Sequence, residues 1–255
     1  MVNKQLNIGI IGLGTVGSGV VETLEKKNNY FKRKYNLEIN ILGISAKSKN
    51  KKRAFNVKKY KWYNNPLDII DIRNIHVIIE LIGGSSGLAF KIANKTLKAK
   101  KHLVTANKAL LAVHGEKLSE LAKKNSVNIC FEAAVAGAIP IVNVLENRML
   151  SDDISNIYGI LNGTCNYILS QMIEKKISFD TALKNAQKAG FAEANPYDDI
   201  SGNDTAYKLV ILTNLIFSTN FKIKHVYLEG ITKISNIDLE MGKKLGYTIL
   251  LLGIS

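Results

Sequence analysis

Short apolar runs alternate with amphipathic stretches over the first 140 residues of the chain. Strands are predicted at residues 7–11, 37–45, 76–82, 102–105 and 127–132. Helical spacing of apolar residues lies between several of them, as at 88–98 and 115–124. This alternation, with glycine or polar residues after the strands, predicts a doubly wound α/β domain with a parallel sheet. Ligands bind at the carboxyl ends of the strands in such sheets.

The pattern changes after Pro140, where helical spacing becomes dominant. Helices are predicted at residues 141–150, 166–175, 179–189, 204–217 and 238–244. Strands are predicted at residues 154–161, 225–231 and 246–254. We therefore divide the chain into a first domain, residues 1–140, and a second, α+β domain, residues 141–255.

A glycine-rich turn joins the first predicted strand to the helix that follows it. Its residues are Gly12, Leu13, Gly14, Thr15, Val16 and Gly17. The spacing Gly-x-Gly-x-x-Gly between a strand and a helix is typical of dinucleotide binding. The glycines permit a tight turn and a close approach of the backbone to the pyrophosphate, which lies at the helix N-terminus. We therefore expect the first domain to be of the Rossmann type and to bind a dinucleotide.

The end of the second predicted strand bears on the choice of nucleotide. An NAD site places an acidic residue at that end, where it binds the ribose 2′-hydroxyl. Glu38 lies at the start of the strand instead, and the end carries hydroxyls and cations from Ser45 to Lys49. Lys47 therefore favours the 2′-phosphate of NADP. An ordinary basic loop is an equally good interpretation, so NAD stays an alternative.

The densest group of candidate catalytic side chains lies near residue 200. Asp204 and Lys208 are four residues apart and would share one face of a helix. Glu193 and Asp199 precede them in a turn, and the helix that follows is too apolar to be exposed. By spacing alone, a surface ion pair is the simpler interpretation. Carboxylates and a lysine against a buried helix instead indicate a polar substrate pocket with capacity for proton transfer.

Composition limits the classes of partner. The net charge of +14 suggests nucleic-acid binding as a function. The positive charge is almost all lysine, however, and is scattered along the chain. No apolar run approaches the ~20 residues of a membrane span. Cys130 and Cys165 stand in unrelated contexts and indicate neither a disulfide framework nor a metal site. We expect a cytoplasmic protein with no nucleic-acid or membrane partner.

Six motifs follow one another along essentially the whole chain. They are Gly12–Gly17, Glu80–Gly84, Thr105–Lys108, Glu132–Ile141, Gly159–Tyr167 and Gly190–Lys208. In this order they resemble homoserine dehydrogenases. The resemblance implies interconversion of aspartate 4-semialdehyde and L-homoserine by hydride transfer with an NAD(P) cofactor, in the biosynthesis of threonine, methionine and isoleucine. It also implies a homodimer or larger homo-oligomer, with a second domain that binds substrate and forms the dimer.

The resemblance also implies functions for the matching positions. Nucleotide contacts fall on Gly12 to Val16, Lys108 and Gly190. Substrate contacts fall on Glu193 and Asp204, and the catalytic lysine is Lys208, with Asp204 beside it. Asp199, which shares the turn with Glu193, is a further substrate candidate. A monovalent cation such as Na⁺ would be bound, mostly through backbone oxygens, by Glu132, Val135, Gly137 and Ile139.

The chain departs from the family in small substitutions and in length. Asn195 stands where the family often has Asp, and Ser85 and Ser86 occupy a variable stretch. The chain ends inside the strand predicted at 246–254, whereas the family's sheet continues. We therefore expect a fragment or truncated product that aggregates or binds cofactor weakly and shows little activity alone.

Three other interpretations stay open. A covalent thioester on Cys165 would fit an aldehyde dehydrogenase, although no histidine lies near it in the sequence. A nucleotide-binding protein without catalysis would keep the same glycine motif, as would a dehydrogenase of another amino acid. Oxidation of homoserine with NADP distinguishes these interpretations.

Overall fold

The computed structural model describes residues 4–149 and 151–255, in two compact units. The first unit is Met1–Ala138 and the second is Ile139–Ser255. Within the described residues, no helix is both long and apolar enough to cross a membrane.

A parallel sheet forms the centre of the first unit. Its strands are β1 (Lys4–Ile11), β2 (Leu37–Ser45), β3 (Val77–Glu80), β4 (His102–Thr105) and β5 (Ile129–Cys130). They lie in the order β2-β1-β3-β4-β5. From β1 the chain adds β2 on one side and then β3, β4 and β5 on the other, so the strand order reverses between β1 and β3. Ile11 pairs with Ser45 and Glu80, and Glu80 pairs with Thr105. Four strands therefore end together at one edge, and the predicted doubly wound sheet is confirmed.

Helices separate these strands along the chain. They are α1 (Thr15–Tyr35), α2 (Leu67–Ile70), α3 (Leu88–Lys98), α4 (Lys108–Lys124) and α5 (Glu132–Val135), with a 3-10 turn at Val57–Lys59. The strand residues Ile10, Ile44, Ile78 and Leu103 are fully buried, as are residues of the helices such as Leu118. Apolar strands of this kind are expected where a parallel sheet is covered on both faces.

The second unit is mainly helical. Its helices are α6 (Ile141–Asn147), α7 (Gly163–Lys175), α8 (Phe179–Lys188), α9 (Tyr197–Ile200), α10 (Asn203–Phe217) and α11 (Asn236–Lys244), with a 3-10 turn at Ile223–His225. Its two strands, β6 (Tyr158–Gly159) and β7 (Gly253–Ile254), pair antiparallel. The core contains Ile168 and Leu169 of α7, Ala182 of α8 and Leu239 of α11.

The strands predicted in the second unit are wrong in extent. The runs 154–161 and 246–254 form strand only at β6 and β7, and 225–231 contains no strand. An apolar alternation describes which side chains can be buried, but a strand also needs a neighbouring backbone to pair with. Here the pairing extends only from Ile157–Ser255 to Gly159–Gly253.

Several predicted boundaries also shift. Helix α4 begins at Lys108 rather than at 115, because the Asn107 side chain accepts a hydrogen bond from the Leu110 N–H and caps the helix. Glu132 opens the short helix α5 instead of ending a strand. The helix predicted at 141–150 ends at Asn147, and residue 150 lies outside the described residues.

The third glycine of the motif generates a prediction about stability. An added Cβ at Gly17 would stand 1.9 Å from the Gly12 carbonyl oxygen. Gly17→Ala should therefore lower the free energy of unfolding by about 1–3 kcal/mol, since the backbone must move. Gly19→Ala is the matched control, because a Cβ there meets nothing within 4 Å. Alanine favours the helix, so the control should be neutral or more stable by up to about 1 kcal/mol. Urea unfolding followed by circular dichroism measures both, and equal stabilities would contradict the packing role.

Candidate functional site

The glycine-rich loop lies at the carboxyl end of β1. Gly12 has φ of +103°, and an added Cβ would meet the Leu81 carbonyl oxygen at 2.5 Å. The first glycine of the motif thus permits both the turn and the contact with the chain that follows β3. A Cβ at Gly14 meets nothing within 4 Å, so the second glycine borders open space.

Helix α1 presents its N-terminus to this open space. Gly14 occupies the N-cap position, and no side chain caps the helix. Gly14, Thr15 and Val16 are exposed, and no acidic residue lies in the first turn. The N–H groups of a helix N-terminus carry partial positive charge and bind phosphate. The residues present therefore fit the pyrophosphate of a dinucleotide.

The end of β2 is cationic. The Gly12 N–H donates to the Ser45 carbonyl at 2.9 Å, so the last residue of β2 lies beside the glycine loop. Lys47 follows Ser45 by two residues. Lys47 is exposed. Glu38 lies seven residues before Ser45 along β2, about 23 Å away at strand spacing, and forms an ion pair of 3.2 Å with Lys32. It is therefore at the wrong end of the strand to bind a ribose.

Arg53 holds the loop after β2 in place, a role that no sequence motif predicts. Its guanidinium donates to the carbonyls of Leu13 at 3.1 Å, Ser48 at 2.7 Å and Lys51 at 2.9 Å. It lies 5.8 Å from the centre of the Trp62 ring. This side chain connects the glycine loop to the basic loop. The sequence feature that could have indicated this role is an arginine among lysines. Arginine has five donors in a fixed fork, whereas each neighbouring lysine has a point charge.

Lys108 is the first residue of α4, at the same sheet edge as the glycine loop. The preceding strand β4 ends at Thr105, which pairs with Glu80 at the end of β3. Glu80 is fully buried. Burial raises the pKa of its carboxyl, and hydrogen bonds from Thr105 and from the Ile82 backbone oppose that rise. Glu80 and Thr105 are functional candidates that the sequence pattern does not predict.

In the second unit, Asp204 and Lys208 form a buried ion pair on α10. The Lys208 Nζ lies 2.8 Å from the Asp204 Oδ2, and the two side chains are 18% and 4% exposed. The same ammonium donates to the Leu161 carbonyl at 2.7 Å. The expected shared helix face is confirmed, and the pair is not a surface pair.

A single amide joins this pair to a second carboxylate. The Asn162 Nδ2 donates to the Asp199 Oδ1 at 2.7 Å and to the Asp204 Oδ2 at 2.8 Å. Its Oδ1 accepts from the Cys165 N–H at 2.8 Å and caps α7. The position of Asn162 directly before a helix predicts that it caps α7, but it does not predict the contacts with Asp199 and Asp204.

The cluster has the parts that proton transfer requires. Lys208 carries three N–H donors, and within the described residues its ammonium contacts two acceptors, Leu161 and Asp204. A third donor is left for a substrate oxygen. The adjacent carboxylate of Asp204 and the Leu161 carbonyl together fix the direction of the ammonium.

Glu193 and Gly190 lie in the segment between α8 and α9. The Thr164 hydroxyl donates to the Phe191 carbonyl at 2.7 Å and ties this segment to the first turn of α7. The Glu193 side chain is exposed, and its backbone carbonyl accepts from Gln187 at 3.1 Å. Gly190 has φ of +78° with open space where a Cβ would stand. The hydrogen bonds thus join Asp199 to the cluster but leave the Glu193 carboxylate outside it.

Cys165 is not placed to act as a nucleophile. Its side chain is fully buried, and the Sγ lies 3.0 Å from the Asp199 carbonyl oxygen. Burial, followed by the charges of Asp199 and Asp204, raises the pKa of the thiol to about 12. A thioester mechanism needs a thiolate, so the structure argues against the aldehyde dehydrogenase interpretation.

The four residues expected to bind a cation do not lie in one unit. Glu132 and Val135 are in α5 and Gly137 follows it, while Ile139 begins the second unit. The Ile139 carbonyl already accepts from the Ile141 N–H at 2.8 Å. In residues 4–149 and 151–255, no group of three or more His, Cys, Asp or Glu side chains could hold a metal ion. Backbone oxygens would therefore have to supply most ligands.

A cavity of about 640 Å³ lies along a different part of α10. Thr205 and Leu209 line it, together with the segment from Ile249 to Ser255. Asp204 and Lys208 do not line it. Each directly precedes a lining residue, and one residue turns the helix by about 100°, so their side chains lie on another face. The cavity is mostly apolar, so we place the candidate chemistry at the cluster and not at this groove.

The fold and the two sets of residues define a class: a nucleotide-binding parallel sheet with a separate unit that carries a lysine and carboxylates, as in nicotinamide-dependent dehydrogenases. Residues 12–132 match the model of the homoserine dehydrogenase NAD-binding domain, and residues 140–255 match that of homoserine dehydrogenase.

Individual relatives agree with these matches. Homoserine dehydrogenase of Bacillus subtilis is 41% identical over 99% of this chain, which spans 58% of that relative's length. That of Methanocaldococcus jannaschii is 37% identical over 97% of this chain and 80% of the relative. The crystal structure from Thiobacillus denitrificans superposes with a TM-score of 0.89, at 37% identity, over 98% of this chain and 58% of that one. The chain belongs to the homoserine dehydrogenase family.

The two cysteines generate a prediction about reactivity. At pH 8, iodoacetamide should label exposed Cys130 and leave Cys165 unmodified until the chain is unfolded. With a pKa of about 12, only about one Cys165 thiol in 10⁴ is ionised at that pH. Mass spectrometry of tryptic peptides measures both sites in one sample. Comparable labelling of the two cysteines in the folded chain would contradict the buried, inert thiol.

Proposed function

We propose that this chain carries the coenzyme and substrate residues of an NADP-dependent homoserine dehydrogenase. The reaction interconverts aspartate 4-semialdehyde and L-homoserine. The observation that carries the proposal is the buried Lys208–Asp204 pair with its support from Asn162. Membership of the family supplies the substrate class.

Lys208 acts as the general acid in the direction of aldehyde reduction. NADPH, when bound, supplies the hydride. Negative charge then develops on the carbonyl oxygen, and the Lys208 ammonium meets it by donating a proton. Asp204 holds the ammonium in place, and the Leu161 carbonyl prevents it from turning away. In the reverse direction the neutral amine accepts the proton of the homoserine hydroxyl.

Carboxylates select the substrate by its ammonium group. Glu193 is exposed and Asp199 is half-buried beside the cluster, so a substrate cation can reach either carboxylate. Asp204 is committed to Lys208 and Asn162, and we assign it chiefly to holding the acid. This division gives Glu193 and Asp199 the binding role and Lys208 the chemistry.

The coenzyme residues are those that the sequence motifs predict. The glycine turn from Gly12 to Gly17 holds the pyrophosphate, Lys108 and Gly190 contact the nucleotide, and Lys47 binds the 2′-phosphate. The exposed cationic end of β2, and the distance of Glu38 from it, support NADP over NAD.

Membership of the family supports further proposals about a cation, the oligomeric state, the compartment and the biosynthetic route. Glu132, Val135, Gly137 and Ile139 bind a monovalent cation such as Na⁺, chiefly through backbone oxygens. The protein acts as a homodimer or larger homo-oligomer in the cytoplasm, within the route to threonine, methionine and isoleucine.

Lys208 gives the most direct prediction about activity. Lys208→Ala should lower homoserine-dependent turnover by about 10²-fold or more, because the amine that accepts the proton of the homoserine hydroxyl is lost. Lys208→Arg should lose as much turnover while keeping a cation beside Asp204, since arginine does not release its proton. NADP reduction followed at 340 nm measures turnover, and nucleotide fluorescence checks that binding survives.

Lys184→Ala is the control, because Lys184 is an exposed lysine on α8. It should retain native turnover. Glu193→Gln should chiefly raise the KM for homoserine with a smaller effect on kcat. Near-native turnover of both Lys208 variants would move the chemistry to another residue, with Lys108 the next candidate.

Lys47 gives a prediction about nucleotide choice. The native chain should bind NADPH more tightly than NADH, and Lys47→Ala should reduce the ratio of affinities by about tenfold through loss of one phosphate contact. Lys91→Ala, which removes an exposed lysine from α3, should leave the ratio unchanged. Fluorescence titration of the reduced nucleotides measures each affinity. Equal affinities in the native chain would refute the assignment of Lys47.

A further inference from the structure

Glu80 is a buried carboxylate that the proposed reaction does not use. It ends β3 and is fully inaccessible to solvent. Its Oε1 accepts from the Ile82 N–H at 2.9 Å, and its Oε2 accepts from the Thr105 hydroxyl at 2.5 Å. Its two carboxylate oxygens therefore join the ends of two neighbouring strands.

Thr105 passes this contact on to Asn107. The Thr105 Oγ1 donates its only proton to Glu80 and accepts from the Asn107 N–H at 3.0 Å. The Asn107 Nδ2 then donates to the carbonyls of Ile82 at 3.0 Å and Gly84 at 2.8 Å. The chain of hydrogen bonds begins and ends in the same loop, residues 81–84, and closes on itself.

Two segments at the ligand edge of the sheet are fixed by this circuit. Gly84 has φ of +95°, and the loop's first residue, Leu81, donates its N–H to the Ile11 carbonyl at 2.7 Å. Asn107 is also the N-cap of α4, whose first residue is Lys108. The loop lies where the sheet order reverses, which is where ligands bind in doubly wound sheets.

We propose that Thr105 is a positioning residue for the coenzyme. By holding Asn107 against the Glu80 carboxylate, it fixes the 81–84 loop and the first turn of α4 in the arrangement that binds the nucleotide. This inference rests on the proposed function, because it concerns the same nucleotide site.

Stability alone is a poor explanation of the circuit. A buried charged group gains little over a well-packed apolar one of similar volume, so folding does not require a carboxylate here. The first unit also tolerates a buried threonine without a partner. Thr96 on α3 is fully buried, and within the described residues its hydroxyl makes no hydrogen bond.

Thr96 therefore provides a matched control for Thr105. Thr105→Val and Thr96→Val make the same chemical change at two buried sites of one unit. Hydrogen exchange in the nucleotide-free chain should be about tenfold or more faster at Ile82, Asn107 and Leu110 in Thr105→Val, because a lost buried hydrogen bond lowers protection by this order. Thr96→Val should leave these amides unchanged.

Nucleotide binding tests the functional part. Fluorescence titration should give a Kd for NADPH about tenfold or more higher in Thr105→Val and unchanged in Thr96→Val. Thr105→Ser keeps the hydroxyl and should restore both exchange and affinity. Glu80→Met keeps a similar volume but removes both acceptors, so it should reproduce Thr105→Val and serves if that variant does not fold.

The outcomes separate this inference from the proposed function. Faster exchange with unchanged NADPH affinity, or no change in either, would overturn the positioning role while the native chain still binds NADPH. Loss of affinity in proportion to a lower melting temperature, without rescue by Thr105→Ser, would also overturn it. Failure of the native chain to bind NADPH would overturn the proposed nucleotide function, and the positioning role with it.

Discussion

A carboxylate removed from water must be given hydrogen-bond donors. Each unit of this protein has such a buried carboxylate, with its donors, at its candidate site. In the first unit, Glu80 receives the N–H of Ile82 and the hydroxyl of Thr105. In the second, Asp204 receives the ammonium of Lys208 and the amide of Asn162. An unpaired buried charge is strongly destabilising, so the segments that carry these donors cannot move independently. The order of the loops around both sites depends on this constraint.

Both networks supply hydrogen-bond donors to a buried carboxylate, but the groups that they hold in place differ. The donors to Glu80 come from strand ends and a loop, so the result is a fixed backbone at the ligand edge of the sheet. The donors to Asp204 include the Lys208 ammonium, so this network holds the side chain to which we assign the proton transfer. Asn162 contributes a neutral amide at the point where two acidic side chains would otherwise repel each other.

Two cations of the first unit differ in what they contact. Arg53 directs its guanidinium inward to backbone carbonyls and connects the glycine loop to the loop after β2. Lys47, six residues earlier, is exposed and free of that structural task. A net charge of +14 says nothing about this division, because total charge does not distinguish a cation that orders a loop from one that faces a ligand.

The sequence by itself determined the features that depend on residues close together in the chain. The strand, glycine turn and helix at 7–17, the helix at Leu88–Lys98, and the spacing that pairs Asp204 with Lys208 are of this kind. Only the tertiary structure decided which distant groups meet. Asn162 reaches Asp199 and Asp204 across 37 and 42 residues, and the strands predicted at 154–161 and 246–254 lack a partner over most of their length. Periodicity reports which side chains can be buried, but hydrogen bonds between distant segments depend on how the whole chain packs.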